Sequence, residues 1–584
     1  MNLAMPELFC FVAPDGLRWL HLLIAAAAFS LSLLYTRCCI PVGRRRSFVL
    51  PALVTLGATA GIFLSGSLFT LFVCFEVMSM ASYLLVIHPR TPAARRAGGL
   101  YLGVAVIGGL CMLLGLLLIF VSSGTLELAL LPVAAGSPHQ TLLWVAGILL
   151  LVGFGAKAGM FPLHVWLPSS YTEAPYPGTM VLSAALSKAG TFGLLVLGCT
   201  IFYHDASWGK LLLLLGTVTM LLGGVLAVAS TSLKTTLAYS SMSQIGFILV
   251  GIGMQGVLGE HNALAARGTV LHIMNHSLCK LVLFAVAAVL FQLYGTHELA
   301  KLKGAGRGKP LLHLAFLTGG AAIAGVPLLS GYVSKTLLHE SLVEAIALLP
   351  MGSEQLLLRG VEVLFLLSGG LTVAYIAKLY YTLFLGKPDE QAVPQRAALS
   401  RGWELLPLLP ALPLLTGILP NLTLDSVADW AQGMLRVSPP AHAVQYFSPA
   451  NLQGAAISLT IGALLFFLLR LLPHLRPVLR LPKLHLSLLE QLYLPVVYRL
   501  LPLVLAILGR LLDAACATPL RLILRLPQCA GKVYPKLNFS FGSYTEDSVP
   551  EGYLAKYLPS SLKYSLLTFS AALLLAIGYL IWFA

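Results

Sequence analysis

The sequence predicts an all-α, polytopic transmembrane helical bundle. Of its 584 residues, 58% are hydrophobic and 10% are charged, whereas about a quarter of the residues in a soluble domain are charged. Apolar runs of about 18 or more residues recur along the chain, and each is long enough to cross a bilayer as a helix. Basic residues are also concentrated in alternate loops, which is typical of helices with a fixed membrane orientation.

The apolar runs predict about 14 spans, and 311–349 is expected to be a broken helix. They are 17–36, 48–66, 68–87, 98–121, 142–159, 178–202, 210–230, 237–256, 266–293, 311–349, 361–386, 403–420, 454–472 and 559–583. The spans suggest six regions. The first is one span with its loop, and the second and third are two repeats. These regions are 1–47, 48–202 and 210–386 for the first span and the two repeats, then 403–472 for additional spans, 485–526 and 559–583.

The two repeats are predicted from two interrupted helices. GMFPLHVWLP follows the apolar run 142–159, and GVPLLSG interrupts 311–349. Proline removes a backbone donor and disturbs the preceding turn. Irregular backbone at membrane depth is tolerated where protein buries it or where it lines a cavity. One broken segment in each half of the chain therefore indicates an internal repeat of the kind found in transporters.

The charges of the loops predict orientation. CCIPVGRRRS, HPRTPAARR, KLKGAGRGK, GKPDEQAVPQRAALSR and PHLRPVLRLPK alternate with loops that contain almost no Lys or Arg, such as HDASW. The basic loops are therefore expected in the cytoplasm, and the N-terminus outside. The net charge of +15 is explained by these loops, so no nucleic-acid partner is expected. The first residues have no basic segment and no cleavage site, and no cleaved signal peptide is expected.

The tail contains an apolar segment with two interpretations. Arginines and prolines interrupt LLEQLYLPVVYRLLPLVLAILGRLLDAACATPLRLILRL. Residues 485–526 are predicted to form an amphipathic helix along the cytoplasmic interface with its arginines reaching toward water, and an additional span is the alternative. The interfacial interpretation is preferred because it preserves the orientation of the final anchor, 559–583.

Eight ionisable side chains are predicted to lie inside or at the ends of the spans. They are Glu76, Lys157, Lys188, His272, His276, Lys280, Lys335 and Lys378. Charged groups at membrane depth are costly, so each is a candidate functional residue. The spacing of His272, His276 and Lys280 places them along one helix face, about one turn apart, where they can line a water-filled path.

Lys157 and Glu76 form a candidate switchable pair. Loss of water disfavours a charged ammonium, whereas a nearby carboxylate favours it. The lysine would therefore keep its proton while paired and release it when separated, and a row of such groups could pass protons along.

Each of these residues also has a purely structural interpretation. Lys157 or Lys378 could only reach toward water from a helix end, and Lys188 could only bind a backbone carbonyl. The two histidines could be satisfied packing residues. Lys234, in STSLKTTLAYSS, is interpreted as a cytoplasmic loop residue. Taken together, the ionisable side chains within the spans still favour a proton path over a chance combination of structural residues.

Three long motifs carry a family resemblance. GFGAKAGMFPLHVWLPSSYTEAPYPGTMVLSAALSKAG, SLKTTLAYSSMSQIGF and LHIMNHSLCKLVLF resemble the antiporter-like subunits of complex I, the large Mrp antiporter subunits and the membrane subunits of hydrogenase-4 and formate hydrogenlyase. The likeness covers about residues 15–386. It implies two inverted five-helix repeats, each with a broken helix, and a tail whose lateral helix braces neighbouring subunits.

The resemblance also implies roles for the candidate residues. Glu76 matches the glutamate that pairs with the lysine of the first broken helix, here Lys157, and Lys188 matches the next lysine of the half-channel. His272, His276 and Lys280 match the central hydrophilic axis. Lys335 matches the lysine of the second broken helix, which leads toward the exit.

The sequence departs from the family pattern in two places. Two helices that usually precede the segment beginning at Asp15 are expected to be lacking, unless a separate subunit supplies them. Thr336 follows Lys335 where many long-tailed members have an acidic residue. TVAYIAKLYYTLFLG is more similar to hydrogenase-type members than to classical complex I.

Two functions fit the sequence, and the first is preferred. It is a proton-translocating subunit of a redox-driven complex, NADH dehydrogenase-like or hydrogenase-like, in a bacterial or archaeal cytoplasmic membrane. Its expected partners are other membrane subunits, the lipid bilayer and a hydrophilic redox arm, because the chain has no flavin, haem, quinone or cluster motif and no CxxC among its nine cysteines. The alternative is a subunit of a stand-alone Mrp-type cation/proton antiporter. A structural bracket with inactive channels is disfavoured by the ionisable groups.

No cofactor and no metal are expected, and the ion is expected to be a proton, with sodium possible.

Overall fold

The computed structural model describes residues 9–387, 401–435, 437, 440 and 443–479, and these residues are mainly helical. The helices are α1 Gly16–Cys39, α2 Arg45–Leu64, α3 Leu68–Val86, α4 Pro92–Ser123, α5 Gln140–Ala158, α6 Trp166–Glu173, α7 Tyr176–Val181, α8 Ser187–Cys199, α9 Ala206–Ala229, α10 Leu233–Leu258, α11 Ala263–Tyr294, α12 Pro310–Ala324, α13 Ser330–Leu348, α14 Ser353–Tyr380, α15 Arg401–Leu405, α16 Pro420–Ala431 and α17 Pro449–Leu479.

The predicted all-α membrane architecture is confirmed. Among the described residues, eleven helical segments are long and apolar enough to cross a membrane, and a bent pair raises this number to twelve if it forms one span. The sequence-based figure of about 14 also counted 559–583, which lies outside the described residues. The predicted interfacial segment 485–526 lies outside them as well.

Both helix interruptions lie where the sequence predicts them. Helix α5 ends at Ala158 and is followed by Gly159 with φ 85° and ψ 33°. Helix α12 ends at Ala324 and is followed by Gly325 with φ 82° and ψ 34°. Glycine adopts this left-handed conformation without the steric cost of a Cβ, which makes it a common residue after the end of a helix.

The segment predicted as a straight span at 403–420 has a different form. It contains the 3₁₀ turns Leu406–Leu408 and Leu412–Ile418, and the chain then bends by 109° into α16. Each proline removes a backbone donor, so a continuous α-helix is disfavoured here. The prolines are Pro407, Pro410, Pro413 and Pro420.

The centre of the bundle is formed by α7, α8, α10 and α11. The most apolar stretch of Tyr176–Cys199 is entirely buried, whereas only 6% of the corresponding stretch of Pro449–Leu471 is buried. Helices α9 and α10 approach closely through glycines, since a Cβ at Gly246 would lie 2.2 Å from the backbone nitrogen of Met220. Small residues allow membrane helices to pack at this distance. The candidate polar residues therefore lie within a closely packed centre.

Candidate functional site

The eight predicted relay residues lie on six helices, and all of them are among the described residues. Glu76 is on α3, Lys157 on α5, Lys188 on α8, His272, His276 and Lys280 on α11, Lys335 on α13 and Lys378 on α14. Six of them are buried, while Glu76 and Lys378 are partly exposed. A buried ammonium or imidazole needs hydrogen-bonding partners, and these partners define the site.

Lys157 is held by hydroxyl groups at the end of α5. Its Nζ donates hydrogen bonds to Tyr101 OH at 2.6 Å and to Ser79 Oγ at 3.1 Å. It also lies 4.8 Å from the centre of the Tyr101 ring, where the negative face of the ring attracts a cation. Tyr101 OH is in turn joined to Ser82 Oγ at 2.5 Å. The ammonium is thus bound by neutral groups on α3 and α4.

Glu76 faces the same region without an ion pair to Lys157. The carboxylate packs against α4, and a Cβ at Gly109 would lie 2.4 Å from Glu76 Oε1. This buried Oε1 has no hydrogen-bond partner within the described part of the chain. Gly109 therefore provides the space for the carboxylate. The predicted pair is open in this structure, because the Lys157 ammonium is bound by the two hydroxyls instead.

Lys188 connects the two halves of the chain through His276. The π-helical turn Leu182–Leu186 interrupts the α-helix immediately before it, and such turns are frequent at functional sites. Lys188 Nζ donates to Ser183 O at 2.7 Å and to His276 Nδ1 on α11 at 3.1 Å. Since Nδ1 accepts this bond, the proton of a neutral His276 ring is on Nε2.

His272 is linked to the helix that carries Lys335. Its Nδ1 is joined to Ser334 Oγ at 3.1 Å, and Asn275 Nδ2 donates to the same oxygen at 3.1 Å. The Asn275 amide also donates to Ser330 O at 2.7 Å. Nε2 of His272 has no protein partner among the described residues, so this nitrogen is available for proton exchange.

Lys280 lies further along the same face of α11, as predicted. Its Nζ donates to Leu237 O at 2.9 Å and to Ser240 Oγ at 2.8 Å on α10. Ser240 donates in turn to Tyr375 OH at 2.8 Å. The lysine thus continues into a chain of hydroxyls that reaches α14.

Lys335 folds back onto the end of α12. Its Nζ donates to Ile323 O at 2.8 Å and lies 4.8 Å from the centre of the Phe247 ring. The last carbonyls of a helix carry partial negative charge and stabilise a cation. Its Cδ would lie 3.2 Å from a Cβ at Gly325, so the glycine at the break also makes room for the lysine.

Lys378 contacts the end of a helix rather than another ionisable group. Its Nζ donates to Val228 O at 2.7 Å and to Ser230 O at 2.6 Å, and it lies 3.4 Å from Ala227 O. These carbonyls lie at the C-terminus of α9, where a cation is favourable. The contacts favour the structural interpretation of this lysine.

The interpretation of Lys234 as a loop residue is wrong. Lys234 is buried in the first turn of α10, and its Nζ donates to Thr172 O at 3.1 Å and to Ala174 O. The ammonium also lies 4.4 Å from the centre of the Tyr176 ring. The polar run around it resembles a loop, and only the packing of α10 against the end of α6 shows that this lysine is enclosed.

The described residues show no group of three or more His, Cys, Asp or Glu side chains placed to hold a metal ion. What the arrangement offers is proton exchange, because lysine, histidine, glutamate and hydroxyl groups can each donate or accept a proton. Ser79, Tyr101, Ser240 and Ser334 were not identified from the sequence, since single hydroxyl residues carry no recognisable spacing.

Residues 65–381 match the family model described as "NADH:quinone oxidoreductase/Mrp antiporter, TM". This range includes all eight candidate residues and both broken helices.

Two relatives are similar over more than half of this chain. A Na⁺/H⁺ antiporter subunit of Alkalihalophilus pseudofirmus is 32% identical over 361 residues, which cover 62% of this chain and 69% of the relative. Hydrogenase-4 component B of Escherichia coli is 33% identical over 333 residues, which cover 55% of this chain and 48% of the relative. The chain thus spans about half the length of the second relative.

A solved structure supports the fold. The Mrp complex from Dietzia sp. contains a chain that matches with a TM-score of 0.71 and 24% identity, over 94% of this chain and 59% of that one. The family match covers more than half of this chain, and the likeness to the Alkalihalophilus antiporter protein extends over two thirds of that relative. The chain therefore belongs to the family of NADH:quinone oxidoreductase and Mrp antiporter membrane subunits.

Proposed function

We propose that this chain moves protons through a row of buried ionisable side chains. The row begins with Glu76 and Lys157 and continues through Lys188 and His276 toward Lys335. The observation that carries this proposal is the 3.1 Å contact between Lys188 Nζ and His276 Nδ1, which joins a lysine of the first half to the histidines of the second. A proton leaving the Lys188 ammonium has an imidazole nitrogen as its direct acceptor.

The chemistry of the row favours protons over sodium. Small hard cations prefer a set of oxygen ligands, whereas Lys157, Lys188 and Lys335 present ammonium groups that would repel a metal cation. Histidine exchanges protons near neutral pH. Sodium movement would then require a path in a partner subunit.

Matched features in the two halves support an internal repeat over 48–202 and 210–386. An isolated backbone bridge joins Ser67 to Glu127 around α3 and α4, and another joins Ser232 to Glu298 around α10 and α11. The two breaks end on glycines of nearly equal φ and ψ. We infer that each half contributes one broken helix and one lysine at that break.

The partners of this chain follow from its relatives. Relatives named as hydrogenase-4 and formate hydrogenlyase subunits favour a redox-driven complex with a hydrophilic arm. The relative named as a Na⁺/H⁺ antiporter component favours the alternative, a gradient-driven antiporter of several membrane subunits. In either complex the basic loops would face the cytoplasm and the N-terminus would face outward.

The relay can be tested with substitutions at its central contact. We expect Lys188→Met and His276→Gln, each in the purified complex reconstituted into vesicles, to lower proton translocation at least about 100-fold, since proton exchange by a positioned side chain contributes about that much. The control is Lys301→Met, because this exposed lysine only pairs with Glu298 at 2.8 Å. Full translocation in an assembled His276→Gln complex would contradict the relay.

Mass spectrometry of the complex that co-purifies in mild detergent separates the two driving forces. A hydrogenase-like or dehydrogenase-like arm would establish the redox-driven form. Small membrane subunits alone would establish the antiporter form.

A further inference from the structure

A small cavity lies beside the second lysine. It has a volume of about 40 Å³, and its lining includes Lys335, Phe247, His339, Asn451 and Ser458. One water occupies roughly 10–15 Å³ on this measure, so the cavity can hold about three waters. Lys335 therefore lies beside a space in which water can accept its proton.

A larger, acidic pocket begins next to this cavity. It has a volume of about 640 Å³ and opens to the outside of the protein. Three carboxylates line it, from Glu260, Glu340 and Glu344, together with His261. Carboxylates around an open pocket attract and hold protons and other cations.

Two side chains separate the cavity from the pocket. Among the described residues, only His339 and Asn451 line both spaces. Asn451 Nδ2 donates to Glu340 Oε1 at 2.5 Å and to Gln445 O at 3.0 Å. An amide cannot bind and release a proton near neutral pH, so His339 is the titratable group of the two.

The His339 ring is held in place on three sides. Its Nε2 lies 3.1 Å from Glu362 Oε1 on α14, and the ring stacks on Phe365 with 5.9 Å between ring centres. On the third side is Gly454 of α17, where a Cβ would lie 3.2 Å from both Cε1 and Nδ1 of the ring. Since Nε2–H donates to the Glu362 carboxylate, Nδ1 is the nitrogen that can accept a further proton.

We propose that His339 is the gate through which protons pass between the cavity at Lys335 and the acidic pocket. This proposal rests on the proposed function. The N–H bond of the Lys335 ammonium breaks and a cavity water takes the proton. That water passes a proton to His339 Nδ1, while Nε2–H stays bonded to Glu362. The imidazolium then releases the Nδ1 proton to water in the pocket and returns to its neutral form.

The charged surroundings of His339 suit this role. Glu362 faces the ring from α14 and stabilises the imidazolium. Lys335 lies on α13, as His339 does, and disfavours the imidazolium while the lysine is charged. The α17 residues that line the cavity are uncharged, and Glu340, Glu344, Glu260 and His261 lie on the pocket side. The ring thus accepts a proton most readily after Lys335 has lost its own.

The test compares three variants of the full complex in vesicles. His339→Gln keeps a neutral donor for Glu362 and cannot carry a proton, so translocation per assembled complex should fall at least about tenfold. Lys335→Met reports on the relay itself. His313→Gln is the matched control, because within the described part of the chain the His313 ring hydrogen-bonds to Tyr380 OH at 2.7 Å and packs against the rings of Tyr380 and Phe384, away from Lys335.

The outcomes separate the gate from the relay. Loss of translocation in Lys335→Met with a full rate in His339→Gln overturns the gate and leaves the proposed function intact. Full rates in both variants contradict the proposed function. In addition, external imidazole should restore translocation to His339→Gly. An assembled His339→Gly complex that stays inactive with imidazole would show that the ring is only structural and overturn the gate.

Discussion

The two breaks of the bundle share a backbone and differ in how they hold a lysine. Each break begins with a left-handed glycine, Gly159 or Gly325, with φ angles of 85° and 82°. Lys157 precedes its glycine and is bound by the hydroxyls of Ser79 and Tyr101. Lys335 follows its glycine, folds back to a carbonyl of α12 and borders a cavity large enough for water.

The difference suggests two roles for one chemical group. Lys157 has the Glu76 carboxylate in its vicinity, and a nearby carboxylate favours the charged form of an ammonium. Within the described ranges no carboxylate is bonded to Lys335, and the lysine lines a cavity large enough for water. A lysine controlled by a carboxylate suits transfer within the protein, and a lysine beside water suits exchange with the outside.

The largest effect is expected at the first lysine. Lys157→Ala should lower translocation at least about 100-fold while the complex still assembles, because the relay loses a proton carrier. The rate of proton movement in vesicles and the subunit composition measure the two outcomes. Arg46→Ala, at the exposed start of α2, should change neither. Normal translocation in Lys157→Ala would break the comparison, since Lys335 alone would then suffice.

A smaller effect is expected from moving Glu76. In Gly109→Ala, the new methyl would lie 2.4 Å from Glu76 Oε1, so the carboxylate must move. Translocation should fall about tenfold, less than the loss of about 100-fold or more expected when a proton-transfer group is removed. Gly99→Ala on the same helix is the matched control, because its Cβ would meet nothing within 4 Å. Equal rates in the two variants would show that Lys157 works independently of Glu76.

A third prediction sharpens the comparison of the two glycines. Ala at Gly325 should cost about 1–2 kcal/mol of stability, because this position is left-handed. Ala at Gly159 should cost more, because its Cβ would also lie 2.5 Å from Leu167 Cδ1. Only Gly325→Ala should also lower translocation, since its methyl would lie 3.2 Å from Lys335 Cδ. The fall should be about threefold, far below the loss of about 100-fold or more expected on removal of a proton carrier. Gly308→Ala, with φ 72° and no atom within 4 Å, controls for backbone strain. Thermal unfolding and vesicle assays measure the two effects. A larger loss of translocation in Gly159→Ala than in Gly325→Ala would contradict the view that the glycine at the second break positions a proton carrier.

The smallest effect on transport is expected at Lys378. Lys378→Met removes the cation from the end of α9, which should lower stability by about 1–2 kcal/mol and leave translocation per assembled complex unchanged. Thermal unfolding of the purified complex measures the first effect. Loss of translocation at unchanged stability would instead make Lys378 a member of the relay and extend the relay toward α9.

The sequence by itself determined the membrane architecture and the positions of both breaks. Long apolar runs require helices in a bilayer because every backbone group must be satisfied internally, and Gly with Pro marks where a helix cannot continue. The residue types of the relay were also visible, since charges within apolar runs stand out. The internal repeat remains a prediction, which the matched bridges and glycines support. The roles of the relay residues also remain predictions.

Only the tertiary structure decided which groups meet. Spacing placed His276 on a helix face, but the packing of the π turn Leu182–Leu186 against α11 brings Lys188 Nζ within 3.1 Å of His276 Nδ1. Lys378 and Lys188 both lie in apolar runs, yet Lys378 binds carbonyls at the end of α9 whereas Lys188 contacts an imidazole. Lys234 lies in a polar run and is nevertheless bound by carbonyls at the end of α6. The physical reason is that local periodicity fixes the face of a helix, whereas the partner across the interface depends on how helices distant in the chain pack together.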